Sequence, residues 1–188
     1  MKLILYKKSV APYVPSQSIV VERMLKIANV KPNDTVIDLG CGDGRILISA
    51  IRDFKAKKAI GYELNPELFS KTRKEIENLG YEKRIQIFNK DLFDADLSEA
   101  TVITLYLTTS GNRLLRPKLK KETVKGTRIV SHDFDIQPWR ASKKSEFLGH
   151  TIYLFIIPEA YAKIERSDEV AWHRRLSWIN PRRFQQYT

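Results

Sequence analysis

The sequence predicts an α/β fold in which a mostly parallel sheet is covered by helices on both faces. Short apolar runs of strand length alternate with longer segments of helical periodicity. The first of these runs, "VIDL", is followed at once by a glycine-rich turn, "GCGDG". The 188 residues, of which 43% are apolar, suffice for one domain with a sizeable core. Alternation of this kind is typical of parallel sheets packed between helices.

The first part of the chain predicts an arm, a helix, a strand and a second helix. Residues 1–17 carry two prolines near their end and are interpreted as an N-terminal arm. The segment "SQSIVVERMLKIANV" predicts a helix, because its apolar residues recur at helical spacing, and Ser16 or Ser18 can cap its start. "DTVIDLG" predicts a buried strand, and "RILISAIRDF" predicts the helix that follows the glycine turn.

The middle of the chain repeats the pattern of strand and helix. "KAIGYE" predicts the second strand. "NPELFSKTRKEIENLG" predicts a helix, with Asn65 as its cap, Pro66 in its first turn and Gly80 just past its end. "RIQIF" and "TVITLYL" predict the third and fourth strands.

The last predicted elements are a helix and two strands. "NRLLRPKLKKE" predicts a helix that is broken at Pro117, because proline lacks the backbone N–H that the helix needs. "GTRIVSHDF" and "TIYLFII" predict two more strands, which brings the expected number to six.

Composition and charge bound the class of protein. A lone cysteine, Cys41, excludes an internal disulfide and fits a reducing compartment. No run approaches the roughly 18 to 20 apolar residues of a membrane span, so we expect a cytoplasmic protein without a membrane partner. The net charge is +11, and residues 111–188 supply +8 of it (16 Lys+Arg against 8 Asp+Glu). This half suits an acidic or nucleic-acid partner, or it is a solvated surface.

The glycine turn lies where parallel sheets bind ligands, at the carboxyl end of the first strand. Glycines there let backbone N–H groups approach a ligand that a Cβ would block. The dinucleotide fingerprint is G-x-G-x-x-G. Here Gly40, Gly42 and Gly44 form G-x-G-x-G, and Arg45 stands where the third dinucleotide glycine belongs.

Acidic residues follow the next two strands. Glu63, at the end of the second strand, can bind ribose hydroxyls in a dinucleotide site or in another nucleoside site. Asp91, just beyond the third strand, can accept a hydrogen bond from an exocyclic adenine amine, with Leu92 packing on the ring. The pattern serves adenine, ribose and an amino-acid tail without a pyrophosphate site.

This pattern resembles that of the class I S-adenosylmethionine-dependent methyltransferases. The resemblance implies a three-layer Rossmann-like fold and S-adenosyl-L-methionine as cofactor. It further implies that Glu63 holds the ribose and that Asp91 with Leu92 holds the adenine. Asp38 is implied to lie near the methionine amino group, directly or through water. The glycines implied to bracket the methionine portion are Gly40, Gly42 and Gly44.

A closer resemblance covers about residues 11–158. "PYVPS", "DLGCGDGRILI", "DLSEATVITLYL", "LRPKLKKE" and "GTRIVSHDFDI" are similar to the small archaeal protein-lysine methyltransferases and their eukaryotic mitochondrial relatives. It implies a protein substrate and a methyltransferase domain at 18–160, followed by a basic tail at 161–188 that is predicted to be helical. The mitochondrial relatives carry a membrane anchor, which we do not expect here.

The same resemblance guides the choice of reacting residues. Tyr13 and Pro15 of the arm are expected to contact the cofactor, and no metal ligands are predicted. The expected substrate channel consists of Val14, Leu107 and Thr108. Tyr106 is the main catalytic candidate, because the end of the fourth strand faces the transferred methyl group in this fold; the alternative is a core tyrosine. His132 is a candidate proton relay, or else a structural histidine bonded to backbone.

Two other functions remain open at this point. The basic half supports an RNA or DNA methyltransferase, with nucleic acid as a secondary partner. Against it, the fourth strand ends in "LYLTT" and not in the [DN]-P-P-[YF] used on exocyclic base amines. One cysteine cannot supply the pair that many ring-carbon methylating enzymes need. A protein that binds the cofactor without turnover is the second alternative, and the oligomeric state is undetermined.

Overall fold

A parallel sheet organises the computed structural model, which describes residues 9–162. Its strands lie in the order β3-β2-β1-β4-β5-β7-β6. Strands β1 to β5 run parallel, whereas β7 is antiparallel to both β5 and β6. The predicted mostly parallel, Rossmann-like fold is confirmed. Within the described residues the strands are β1 (Thr35–Leu39), β2 (Lys58–Tyr62), β3 (Ile85–Phe88), β4 (Val102–Leu105), β5 (Arg128–His132), β6 (Lys143–Phe147) and β7 (His150–Ile156).

Helices cover both faces of the sheet. Val36 of β1 faces a core cluster with α1, α2 and α3, while Ile37 and Leu39 face a second cluster with α4. The five residues of β1 are all buried, as a strand covered on both faces requires. The helices with both ends described are α1 (Ser18–Ile27), α2 (Arg45–Arg52), α3 (Pro66–Asn78), α4 (Thr109–Glu122) and a 3-10 turn (Leu92–Asp94).

Helix α3 begins as the sequence predicts. The Asn65 side chain accepts hydrogen bonds from the backbone N–H groups of Glu67 and Leu68, at 2.9 and 3.3 Å. Pro66 occupies the first turn, where its missing N–H has no partner to lose. Gly80 follows the helix with a φ of +70°.

The predicted cap of α1 is wrong. Gln17 precedes the helix in extended conformation, and no side chain caps it. The hydroxyl of Ser16 lies instead 2.8 Å from Nδ1 of His132. The Ser16 hydroxyl, which the local sequence pattern assigned to the start of the helix, therefore contacts a residue that is distant in sequence.

The predicted break at Pro117 is also wrong, because α4 continues through it. Proline removes the hydrogen bond to the carbonyl of Arg113, but both residues lie on the exposed side. Leu115 and Leu119 are fully buried on the opposite side and hold the helix against the sheet. The free energy gained by burying these two leucines outweighs the cost of a proline inside the helix.

Strand β6 (Lys143–Phe147) is missing from the sequence prediction. Its residues are mostly polar and exposed, because it lies at the edge of the sheet. Leu148 and Gly149, with φ of +51° and +80°, join it to β7 in a tight hairpin turn. An edge strand of this composition lacks the apolar alternation that identifies strands in sequence.

The division of the chain into an arm (1–17), a domain (18–160) and a tail (161–188) stays a prediction. The tail, apart from residues 161 and 162, lies outside the described residues, as do residues 1–8. Residues 9–17 of the arm lie across the carboxyl edge of the sheet, where they form one wall of a cavity.

Candidate active site

A cavity of about 400 Å³ opens at the carboxyl ends of β1, β2 and β4. The strand order reverses between β1 and β4, and α/β sheets bind ligands at such a switch point. Most of the predicted site residues line the cavity: Tyr13, Val14, Pro15, Asp38, Gly40, Gly42, Glu63, Asp91, Leu92, Tyr106 and Leu107. Gly44, Thr108 and His132 do not belong to its lining.

The glycine turn forms the floor of the cavity. The backbone N–H groups of Gly40 and Cys41 both donate to the Tyr62 carbonyl, at 2.9 and 3.0 Å, which ties the turn to the end of β2. Gly42 has a φ of +53°, and a Cβ there would lie 2.5 Å from the Tyr13 ring. Glycine is therefore required both by the backbone and by the close approach of the arm.

Gly44 packs against α3, and its place beside the methionine portion of the cofactor stays a prediction. A Cβ on this residue would lie 2.6 Å from Cγ2 of Thr72, so its missing side chain makes room for α3. The Thr72 hydroxyl donates to the Gly42 carbonyl at 2.8 Å. Burial raises the pKa of the Cys41 thiol, followed by the nearby Asp38 and Glu63 carboxylates, so the residue stays protonated, as a spacer would.

Glu63 is nearly buried at the end of β2, with its carboxylate pinned by backbone. Its Oε2 accepts from the Gly42 N–H at 2.9 Å, and its Oε1 accepts from the Asn65 N–H at 2.7 Å. Each carboxylate oxygen can accept two hydrogen bonds, so capacity remains for hydroxyl donors in the cavity. This arrangement fits the two ribose hydroxyls of an adenosyl cofactor.

Asp38 lies at the cavity wall with 3% of its surface exposed. Burial raises the pKa of Asp38 to about 7, although a hydrogen bond from the Thr104 hydroxyl at 2.7 Å opposes the shift. The carboxylates of Glu63 and Asp43 raise it further. A cationic amino group in the cavity would stabilise the ionised form, which is how this site fits the methionine end of the cofactor.

We expect Asp38→Asn to stabilise the ligand-free protein more at high pH than at low pH. Folded Asp38 keeps its proton up to a pKa of about 7, whereas the unfolded chain releases it near 3.8. Stability is therefore lost as pH rises through this interval, and asparagine removes that loss. Thermal unfolding of both proteins from about pH 5 to 8 measures the difference in Tm between them. Because both proteins contain His132, its contribution to the pH dependence cancels in that difference. A difference in Tm that does not grow with pH contradicts the prediction.

Asp91 and Leu92 line the cavity where the chain leaves β3. The Asp91 Oδ1 accepts from the Phe93 N–H at 3.0 Å, which caps the 3-10 turn and fixes the carboxylate at the wall. Leu92 is 8% exposed and presents its remaining surface to the cavity. An acceptor beside an apolar surface suits an adenine ring with its exocyclic amine.

The arm is held by Arg45 and Asp43, to which the sequence analysis gave no role in the site. Arg45 donates from Nε to Asp43 Oδ1 at 2.8 Å and also binds the Ser16 carbonyl. Asp43 in turn accepts a hydrogen bond from Tyr13, and burial together with this carboxylate raises the Tyr13 pKa. The departure of Arg45 from the dinucleotide pattern was the available signal for this contact.

Thr108 also fastens the arm and does not line the channel. Its hydroxyl donates to the Val10 carbonyl at 2.9 Å and accepts from the Gly111 N–H at 3.0 Å, so it caps α4. Val10 consequently takes a place in the cavity wall near Leu107.

His132 lies behind Tyr106. The two rings stack with centroids 3.9 Å apart, and the histidine side chain is 1% exposed. Burial lowers the pKa of His132 to about 4, against the opposing effect of Asp133, so the ring is neutral at physiological pH. It bonds to side chains, those of Ser16 and His150, and not to backbone. A relay role stays a prediction; the observed contacts make His132 a residue that positions Tyr106.

The sheet with its reversal between β1 and β4, the glycine turn and the acidic strand ends define a class I S-adenosylmethionine-dependent methyltransferase. The model of the ANTKMT methyltransferase domain family matches residues 38–143. The chain belongs to this family.

Curated relatives include lysine methyltransferases. A protein-lysine N-methyltransferase from Saccharolobus islandicus (strain REY15A) is 47% identical over 79% of this chain and 94% of that protein. The adenine nucleotide translocase lysine N-methyltransferase of Mus musculus is 33% identical over 69% of this chain. This chain spans only 56% of the mouse protein. The predicted cofactor and the predicted protein-lysine methyltransferase activity are confirmed.

One solved structure supports the fold, but its name gives a different substrate from those of the curated relatives. An RNA methyltransferase from Salinibacter ruber, in complex with S-adenosyl-L-homocysteine, has a TM-score of 0.75 and 44% identity. The match covers 78% of this chain and 95% of that one. Among the described residues of this chain, we find no helix with the length and apolar character of a membrane span.

Proposed function

We propose that this protein is cytoplasmic and transfers methyl groups from S-adenosyl-L-methionine to the Nζ atoms of lysine side chains in proteins. The observation that carries the proposal is the near full-length similarity to the Saccharolobus enzyme. The cavity supports it, because its reacting end is built from Tyr106, Leu107 and the arm.

The cofactor is assigned to the residues whose contacts fit it. Glu63 would hold the ribose hydroxyls, Asp91 with Leu92 the adenine, and Asp38 with the turn at Gly40 and Gly42 the methionine end. When bound, S-adenosyl-L-methionine supplies a methyl group on a sulfonium that needs no further activation. The chain therefore needs to orient the acceptor and exclude water.

A lysine acceptor must lose its proton before it can react. Removing that proton at neutral pH costs about 4.6 kcal/mol for a lysine with its ordinary pKa. Burial lowers a lysine pKa by about 3 to 5 units, which is enough to meet this cost. The apolar side chains of Val10 and Leu107 beside the arm provide such surroundings. No strong base is required of the site.

Tyr106 is proposed to orient the lysine amine. Burial raises its pKa, and so does the Asp133 carboxylate that accepts its hydrogen bond. The phenol therefore stays protonated, and a lone pair on its oxygen can accept a hydrogen bond from the amine. The stack on His132 fixes the plane of the ring.

We expect Tyr106→Phe to lower kcat by about tenfold to a hundredfold, because the oriented acceptor is lost while the ring remains. Tyr106→Ala should lower kcat further, since it also removes the stack on His132. Calorimetry should give an unchanged affinity for the cofactor in both variants. Tyr153→Phe is the matched control, because Tyr153 lies on β7 away from the cavity wall. An unaltered kcat for Tyr106→Phe would remove the hydroxyl from the mechanism.

RNA methylation is the second candidate, favoured by the name of the Salinibacter structure. The contacts of two lysines on α4 count against it. Lys118 pairs with Glu122 at 2.6 Å, and Lys120 lies 5.5 Å from the centre of the Tyr161 ring. Lys120 is about 16 Å along the helix from its start beside the cavity. Arg45, near the cavity, is bound by Asp43.

The deciding experiment offers protein and RNA to the enzyme together with labelled cofactor. We expect methyl-lysine in peptides by mass spectrometry and no label in nucleosides, with Tyr106→Ala as the inactive control. Label in RNA without methyl-lysine would establish the second candidate. Absence of label in both pools, from an enzyme that binds the cofactor, would identify a binding protein without turnover.

A further inference from the structure

Two histidines and an aspartate converge behind Tyr106, outside the cavity. His132 ends β5, Asp133 follows it, and His150 begins β7, which pairs with β5. Nε2 of His132 lies 3.0 Å from Nδ1 of His150 and 3.4 Å from Oδ2 of Asp133. The third side of the triangle, from Asp133 Oδ2 to His150 Nδ1, is 2.9 Å. We propose that these three atoms form a binding site for a divalent transition-metal ion.

The size of the triangle fits a metal ion. Zinc binds histidine nitrogen and carboxylate oxygen at distances of about 2.0 to 2.2 Å. Two such ligands that subtend between a right angle and a tetrahedral angle lie about 2.8 to 3.6 Å apart. All three observed separations fall in this interval. Two imidazoles and one carboxylate are a donor set that first-row transition metals accept, whereas calcium and magnesium prefer oxygen.

In the tautomer of His132 that can bind a metal through Nε2, the three atoms carry too few hydrogens for an ordinary hydrogen-bond cluster. When His132 donates from Nδ1 to the Ser16 hydroxyl, at 2.8 Å, its Nε2 carries a lone pair. Asp133 is also an acceptor and has no hydrogen of its own, so a proton on His150 Nδ1 is the only hydrogen that these three atoms carry between them. At least one close pair then has two facing lone pairs. A cation satisfies all of them together.

The backbone is shaped to direct the carboxylate inward. Asp133 has a φ of +60°, a backbone conformation that residues with a side chain rarely adopt. Its Oδ1 accepts from the Thr151 N–H at 2.8 Å, which leaves Oδ2 facing both imidazoles. Strained residues of this kind are concentrated at ligand sites.

The surroundings supply the other features of a metal site. The Ser16 hydroxyl is an outer partner for His132 Nδ1, as ligating histidines almost always have. The side chains of Asp133 and His150 are about a quarter exposed, at 27% and 25%, so an ion can enter from solvent. A bound ion would hold His132 under Tyr106 and, through Ser16, would hold the arm, so we assign it a positioning role.

Zinc binding to the full, tag-free and metal-free chain tests the proposal. Calorimetry should show one Zn²⁺ ion per chain, and zinc should raise Tm. His150→Ala and Asp133→Asn should each lower the affinity by more than the roughly 10- to 100-fold that loss of an outer partner costs. Ser16→Ala, which removes the outer partner, should fall within that interval.

The controls are chosen to match each ligand. Asp135→Asn removes a neighbouring carboxylate outside the triangle and should leave zinc affinity unchanged. His173→Ala removes the remaining histidine of the chain, which lies outside the described residues, and should also leave it unchanged. Circular dichroism verifies folding; the Co²⁺ absorption spectrum of the unaltered chain is decisive if a ligand variant does not fold.

Several results would overturn the site. The unaltered chain could fail to bind zinc stoichiometrically, or the His150→Ala and Asp133→Asn variants could bind it with full affinity. Loss of binding in His173→Ala would place the metal elsewhere. A thiolate charge-transfer band with Co²⁺ would assign the ion to Cys41, whereas bands of nitrogen and oxygen ligands alone support the proposed triangle.

Discussion

Glu63→Ala is expected to weaken binding of S-adenosyl-L-methionine by about 10- to 150-fold, which corresponds to roughly 1.5 to 3 kcal/mol for hydrogen bonds to a charged group. The carboxylate holds the turn through the Gly42 N–H and the start of α3 through the Asn65 N–H. Its removal therefore eliminates the proposed ribose acceptor and leaves two backbone donors without their partner. Isothermal calorimetry at constant pH measures the loss.

A matched variant separates the ligand contact from a general loss of charge at the cavity. Glu67 also lines the cavity but is exposed, and its side chain is not needed for the proposed ribose contact. Glu67→Ala should therefore keep nearly the original affinity. Unchanged affinity for Glu63→Ala, in a protein with an intact circular dichroism spectrum, would mean that Glu63 holds the glycine turn in place but does not bind the ribose.

Gly42→Ala is expected to reduce cofactor affinity by a comparable factor, about tenfold to a hundredfold, because overpacking costs roughly 1 to 3 kcal/mol. The new Cβ would lie 2.5 Å from the half-exposed Tyr13 ring, so either the turn or this ring must move out of the cavity wall. The φ of +53° adds backbone strain of about 1 to 2 kcal/mol. Calorimetric affinity and thermal unfolding together measure both parts.

The chain offers a control that has the strain without the clash. Gly80 has a φ of +70°, and a Cβ there would meet no atom within 4 Å. Gly80→Ala should lower Tm but leave cofactor affinity unchanged. Tyr13→Ala provides the complementary test, because a clash with its ring should disappear in the double variant with Gly42→Ala, and the two effects should then fail to add. Strict additivity would contradict the proposed contact between the turn and the arm.

Local patterns in the sequence were sufficient to predict the scaffold and the cofactor region. The run before Gly40 is apolar on both faces of the strand, and only a sheet covered on both sides buries such a run. Asn65 and Pro66 mark the start of α3 through contacts within one helical turn. Gly42 and Glu63 could be placed together, because adjacent parallel strands bring their carboxyl ends to one edge.

Other elements could not be predicted from the sequence, because their position at the sheet edge or their packing decided the structure. Strand β6 is polar because, within residues 9–162, it has a neighbouring strand on one side only. Pro117 stays helical because Leu115 and Leu119 are anchored in the core. Propensity describes the cost of a residue in isolation, and burial elsewhere in the same helix can exceed that cost.

The arm and the histidine cluster depended on tertiary structure alone. Ser16 meets His132 across 116 positions in the chain, and Arg45 meets the Ser16 carbonyl across 29. His132 was predicted at a strand end, but its distance from His150 follows from the antiparallel pairing of β5 with β7. Sequence determined which residue types reach the carboxyl edge, since strand and helix formation are local. Only the folded chain decided which of them touch, because side-chain contacts between distant segments follow from register and packing.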